Sequence, residues 1–232
     1  MKSGICFLLP VFCGFVFVTR VTGNRLPDEM ISGMNGVRQT VDMPADLFVA
    51  DTFRMPNIKI EVKKDAQGRT VIDTAQFKQA ARTYKAQYEQ QLSAFFVGKP
   101  FPDFALPDPS GKVWKNSDLK GKVTLINTWT ISCKPCKKEM PALNELMKNY
   151  PDYQFWAISP NTSREIKEIV ENTPFHFTQL TEGKQFLDDN HLTAFPVDLI
   201  IDKKGIVRFV LYGGDAETHK RLKDALDRMN AE

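Results

Sequence analysis

Residues 122–150 read KVTLINTWTISCKPCKKEMPALNELMKNY, and this stretch decides the fold. Its leading segment, Lys122–Trp129 (KVTLINTW), is dense in apolar and β-branched residues, the pattern of a buried strand. Its trailing segment, Lys137–Tyr150, repeats apolar residues at helical spacing, the pattern of an amphipathic helix. Between them stand Cys133 and Cys136, at the mouth of that helix. Strand, cysteine pair, then helix is the setting in which a Cys-x-x-Cys motif signals dithiol–disulfide cycling rather than zinc.

Downstream, Tyr153–Ser159 (YQFWAIS) reads as a second buried strand, and 163–171 as a helix with Ser163 as its candidate cap. Residues 175–180 form a short extended piece and 184–190 a short helix. Pro196–Asp202 and Ile206–Tyr212 are strands joined by a turn at Lys203-Lys204-Gly205, and 215–229 closes the chain as a helix. Upstream, 104–106 and 112–114 suggest a β-hairpin around Asp108-Pro109-Ser110-Gly111. The resulting order predicts an α/β fold, a mixed sheet with helices on both faces.

Before Gly98 the pattern changes. Residues 24–56 have no sustained period and read as a partly ordered extension. Ile58–Val62 alternates like a strand, and 69–72 pairs back on it as a hairpin. From Ala75 to Phe96, the residues Phe77, Ala80, Ala81, Tyr84, Tyr88, Leu92 and Phe95 recur at helical spacing, with Asp73 or Thr74 as the cap. This stripe is either a face packed on the main domain or a docking surface. The predicted organisation is a leader over 1–23, a strand-and-helix extension over 24–97, and the main domain over 98–232.

The leader rests on Met1-Lys2, the apolar run Ile5–Val18, Arg20, and small residues up to Gly23. The run falls short of the ~20 apolar residues of a spanning helix and contains Pro10 and Gly14. An export signal fits best, with a retained anchor as the alternative. Of the 4 cysteines, Cys6 and Cys13 then leave with the leader. A disulfide between Cys133 and Cys136 would close a very short loop, so it constrains the unfolded chain little and explains the pair poorly as a staple. A net charge of +3 with scattered lysines gives no nucleic-acid footprint.

From about Gly98 the chain resembles the thioredoxin superfamily in its exported TlpA/ResA-type branch. The resemblance is carried by Gly98-Lys99-Pro100-Phe101-Pro102-Asp103-Phe104, Leu119-Lys120-Gly121-Lys122-Val123, Asn127-Thr128-Trp129, Cys133 to Pro141 (CKPCKKEMP), and Phe195-Pro196 leading into Leu199–Ile206. It implies a thioredoxin-like fold and a thiol-disulfide oxidoreductase with no bound cofactor. It further implies a monomer in the periplasm or cell envelope, exported protein disulfides as substrates, and a membrane thiol as electron donor. Some members serve cytochrome c maturation.

The resemblance also assigns roles. Cys133, at the positive end of the helix dipole, is the attacking thiolate. Cys136 is the inward resolving thiol, and Pro135 stiffens the turn. Thioredoxins carry an acid six residues before the first cysteine, but here that residue is Asn127. Glu139, three residues after Cys136, is therefore assigned as the base, against the alternative of a surface glutamate paired with lysine. Pro196 matches the cis proline opposite the cysteines, and Phe195, Pro196 and Trp129 are the substrate-binding candidates, Trp129 equally a core residue. Ser132 and Phe195 depart from the family's usual residues, and Asp198 places a charge within an apolar strand. His176, His191 and His219 show no ligand spacing and read as structural or exposed.

Two rivals remain. A thioredoxin-fold peroxidase would use Thr130 ahead of a single attacking cysteine. A copper-binding carrier would join Cys133 and Cys136 to a histidine.

Overall fold

The computed structural model describes residues 39–42, 59–68, 70–72 and 74–230. The expected leader over 1–23 lies outside them, as does Asp73. Strands β1 (Gln39–Asp42), β2 (Lys59–Lys64) and β3 (Thr70–Ile72) form an antiparallel sheet in that order. The β2–β3 hairpin was legible. Strand β1 was not, because it sits in the stretch without periodicity and gains its order by pairing with β2.

Helix α1 (Thr74–Phe96) follows and ends at Gly98, whose φ of 82° is the left-handed cap conformation that glycine adopts without steric cost. Strands β4 (Ala105–Pro107) and β5 (Val113–Lys115) make the expected hairpin. A 3-10 turn over Asn116–Leu119 then buries Leu119 and leads to the main sheet.

The main sheet holds β6 (Thr124–Thr128), β7 (Gln154–Ile158), β8 (Thr178–Leu180), β9 (Val197–Ile201) and β10 (Val207–Tyr212), in the order β10-β9-β6-β7-β8. Strands β6, β7 and β8 are parallel, β9 pairs antiparallel with β6, and β10 pairs antiparallel with β9. Strand β6 is central and buried at every residue, which is why it reads as a continuous apolar run. Helices α2 (Lys134–Lys148), α3 (Ser163–Asn172), α4 (Lys184–Asp189) and α5 (Ala216–Asn230) cover the sheet.

Alternation along the strands divides the core in two. Ile126, Leu199 and Ile201 face a cluster shared with Phe101, Phe104, Phe186 and Leu187. Leu125, Ile200 and Leu211 face α2 and α5 through Met140, Leu143, Leu222 and Leu226. Helix α1 belongs to the first cluster: Tyr88, Leu92 and Phe96 are buried in it. Its fastenings are specific. The Tyr88 hydroxyl donates to the His191 carbonyl at 2.6 Å, Tyr88 and Tyr212 meet edge to face, and Lys85 pairs with Asp215 at 2.8 Å. The aromatic stripe is thus a packed face over Tyr84–Phe96, while Phe77 near the start of the helix stays exposed.

One capping expectation needs correction. Thr162, not Ser163, caps α3: its hydroxyl accepts from the Glu165 N–H, and the Glu165 carboxylate accepts from the Thr162 N–H at 2.8 Å. Ser163 is already helical, and its hydroxyl bonds that of Thr181 at 2.8 Å.

Candidate active site

Strand β6 delivers the chain to the edge of the sheet at Trp129, and the next four residues turn it into α2. That turn is pinned from the loop between β7 and α3. Asn161 Oδ1 accepts from the Thr130 hydroxyl at 2.9 Å and from the Ile131 N–H at 3.1 Å, and the Cys133 N–H donates to the Thr130 carbonyl at 3.0 Å. Asn161 did not stand out in the sequence, since its partners lie on a different element.

Cys133 is the N-cap of α2 and Pro135 lies in the first turn, where its missing N–H leaves no bond unmade. Cys133 Sγ accepts from the Cys136 N–H at 3.2 Å, so the free donors of the helix end face the sulfur. The two cysteines are disulfide-bonded, with Cα atoms 5.3 Å apart. Cys133 is half-buried, whereas Cys136 is only 1% exposed. Lys134 and Lys138 are exposed beside the pair.

Phe195–Pro196 is a cis peptide. The register pairs Val197 with Thr128, and the Val197 N–H donates to the Thr128 hydroxyl at 3.1 Å. Pro196 therefore stands at the same end of the sheet as the loop that leads to Cys133. Phe195 is half-buried and packs against both core clusters. Trp129 does not join this surface. It is fully buried, and its indole N–H donates to Gln179 Oε1 at 3.1 Å, so its place is the core beneath the cysteines rather than a face that meets substrate.

Glu139 is 1% exposed, which removes the alternative of a surface glutamate. It lies one turn along α2 from Cys136, and both belong to the buried face of that helix. The Asn127 amide donates to Glu139 Oε1 at 3.0 Å and to Asp198 Oδ1 at 2.9 Å, joining two buried carboxyl groups. Burial pushes the Asp198 carboxyl well above the ordinary carboxylate range, the charge of Glu139 pushes it further, and the Asn127 hydrogen bond opposes both. His219, on α5, brings Nε2 to 3.7 Å from Glu139 Oε2. Gly214, in the turn before α5, passes so close above that a Cβ there would lie 2.1 Å from Glu139 Oε2.

Asp198 was visible in the sequence as a charge in an apolar strand, but nothing there tied it to Glu139. His219 was read as structural or exposed, and its side chain, 24% exposed, lies beside Glu139, a neighbourhood the sequence did not indicate. His191 instead meets the Phe95 ring edge to face. The copper carrier needs a third ligand, and among the described residues no group of three or more His, Cys, Asp or Glu side chains is placed to hold a metal. The Thr130 hydroxyl, the extra group of the peroxidase reading, is committed to Asn161.

Comparison with known proteins agrees with this geometry. A family model described as the AhpC/TSA family matches residues 97–210. The chain is 30% identical over 146 residues to the thioredoxin-like protein YneN of Bacillus subtilis, covering 60% of this chain and 84% of that one. It is 31% identical over 137 residues to the thiol-disulfide oxidoreductase ResA of Bacillus cereus, covering 57% and 78%. A crystal structure assigned as the thiol:disulfide interchange protein DsbE of Chlorobium tepidum superposes with a TM-score of 0.54 at 25% identity, covering 57% of this chain and 96% of that one. On its cysteine-capped helix, its central parallel strands and these relatives, the chain belongs to the thioredoxin-like thiol-disulfide oxidoreductases of the ResA type.

Proposed function

We propose that this protein is exported and reduces disulfide bonds of other exported proteins, cycling between the Cys133/Cys136 dithiol and the disulfide seen here. The observation that carries this reading is the contrast between the two sulfurs: one half-buried at the tip of α2, the other sealed beneath it.

The steps follow from that contrast. Cys133, as thiolate, attacks one sulfur of the partner's disulfide, forming a mixed disulfide and expelling a partner thiolate. Unpaired N–H groups and the positive end of the α2 dipole stabilise the Cys133 anion. Cys136 then gives its proton to Glu139 and attacks Cys133 Sγ. This closes the internal disulfide and releases the second partner thiolate, which takes up a proton. Two electrons pass from the dithiol to the partner, and an external membrane dithiol restores the reduced state. Half-buried Phe195, set in place by the cis bond to the buried Pro196, lines the surface where the extended partner chain lies. The leader-like run Ile5–Val18 supports the exported setting, and reduction of haem-attachment cysteines during cytochrome c maturation is a task that the resemblance to the TlpA/ResA-type branch implies. The protein acts as a monomer.

The reduction potential of the cysteine pair tests the direction of flux. A value near the roughly −270 mV of thioredoxin supports a reductant, and one near −120 mV would make the protein an oxidant. Reduction of insulin by the full chain checks that the pair acts on a protein disulfide.

A further inference from the structure

Buried polar atoms are normally paired, so those left without a partner need an explanation. Three such atoms among the described residues converge beneath the cysteine pair: Glu139 Oε2, Asp198 Oδ2 and His219 Nε2. They come from three different elements, α2, β9 and α5. Asn127, on β6, ties two of them together through the opposite oxygens of the same carboxylates.

We propose that Asp198 is a second proton-holding group of the dithiol site: the two carboxyls joined by the Asn127 amide hold one proton, carried by Asp198 while Glu139 is ionised, and Glu139 exchanges protons with solvent past His219. This rests on the reading of Glu139 as the base for Cys136.

Charge decides the first half. Two ionised carboxylates held by one neutral amide, both sealed from water, would bury two negative charges with no cation bonded to either. Like charges in such a site do not both ionise in the ordinary range. Asp198 is the member driven towards its neutral form, by burial first and by Glu139 second. The pair therefore carries one charge. When Cys136 transfers its proton to Glu139, that charge moves to sulfur and the number of buried charges stays constant.

Geometry decides the second half. The groups that face the pair are Asn127 from β6, Glu139 and Cys136 from α2, and His219 from α5, with Leu211 of β10 as the register partner of Asp198. Lys85 of α1 crosses the Gly213 turn but is engaged with Asp215 and Thr218. His219 alone combines contact with Glu139 and a route outward, its side chain being 24% exposed. At 3.7 Å the two atoms are within a small side-chain shift of hydrogen-bond distance. In each cycle the proton taken from Cys136 leaves Glu139 for His219 and then solvent, and the partner thiolate takes one back from solvent. No electron moves in this path.

The experiment is infrared spectroscopy of the oxidised full chain across pH, paired with the pH profile of the Cys136-dependent step after rapid mixing with a disulfide peptide. The oxidised wild type should show the C=O stretch of a protonated carboxyl at neutral pH. Asp198→Asn should abolish that band, and Glu139→Gln should keep it but move its titration to lower pH. In the kinetic profile Asp198→Asn should remove the ionisation found at higher pH. A wild type with no protonated carboxyl at neutral pH overturns the proposal, without requiring any variant to fold. So does a band that survives in Asp198→Asn, or a kinetic profile that this variant leaves unchanged. The infrared arm is read where no thiol titrates, so it judges Asp198 separately from the base. An unaltered kinetic profile in Glu139→Gln would instead defeat the assignment of Glu139 as base.

Discussion

Asn127 and Asp198 are register partners on the antiparallel strands β6 and β9, and the amide of one donates to the carboxylate of the other at 2.9 Å. Because the folded pKa of Asp198 lies above its ordinary 3.8, the folded protein holds a proton that the unfolded chain has released. Folding stability therefore falls as pH rises from that value through the raised one. Asp198→Asn should flatten this part of the curve. Denaturant unfolding of the oxidised protein at several pH values measures it, and parallel curves for wild type and variant would contradict the expectation.

Glu139 carries the second prediction. Glu139→Gln keeps the shape and the Asn127 contact region but loses the base, so closure of the internal disulfide should slow by about 100-fold at neutral pH, within the usual range for a positioned proton acceptor. The first attack, made by Cys133 on a small disulfide, should change little. Rapid-mixing kinetics separate the two steps.

The turn at Gly214 is the third test. A methyl group there would overlap Glu139 Oε2, which is buried and held by Asn127 and cannot retreat freely. Gly214→Ala should lower stability by about 1–3 kcal/mol, as overpacking does. It should also shift the pH profile of the resolving step, whereas an equal loss of stability elsewhere would not. Thermal unfolding and the kinetic profile together check this.

Helix α1 gives the fourth. Leu92 is fully buried in the cluster with Phe101 and Phe104, so Leu92→Ala should cost about 2–5 kcal/mol, as for other buried leucines. Phe77→Ala should cost little, because its side chain is largely exposed. Urea unfolding distinguishes them. Equal effects would show that the helix does not share the main core.

The sequence made the thioredoxin-like core legible because its signals are local. Strand β6 is buried at every position and so reads as one apolar run, and the cysteine pair follows directly. Strand β1 was invisible because its order comes from pairing with β2 across 16 or more intervening residues. The carboxyl pair was half visible: Glu139 follows from its spacing to Cys136, and Asp198 stood out as an anomaly. What joins them is a three-element contact through Asn127, and spacing along the chain encodes none of it. Trp129 was open between a substrate-binding and a core role, and its full burial with the indole N–H bonded to Gln179 gives it the core role, a contact across elements that its place beside the motif does not encode.

The central claim is that Cys133 attacks and Cys136 resolves. It is tested most directly by trapping the intermediate with an oxidised peptide and identifying the linkage by mass spectrometry. Cys136→Ser should accumulate a mixed disulfide through Cys133, and Cys133→Ser should form none. A peptide adduct on Cys136 in the Cys133→Ser protein, formed as fast as the adduct on Cys133, would contradict the account.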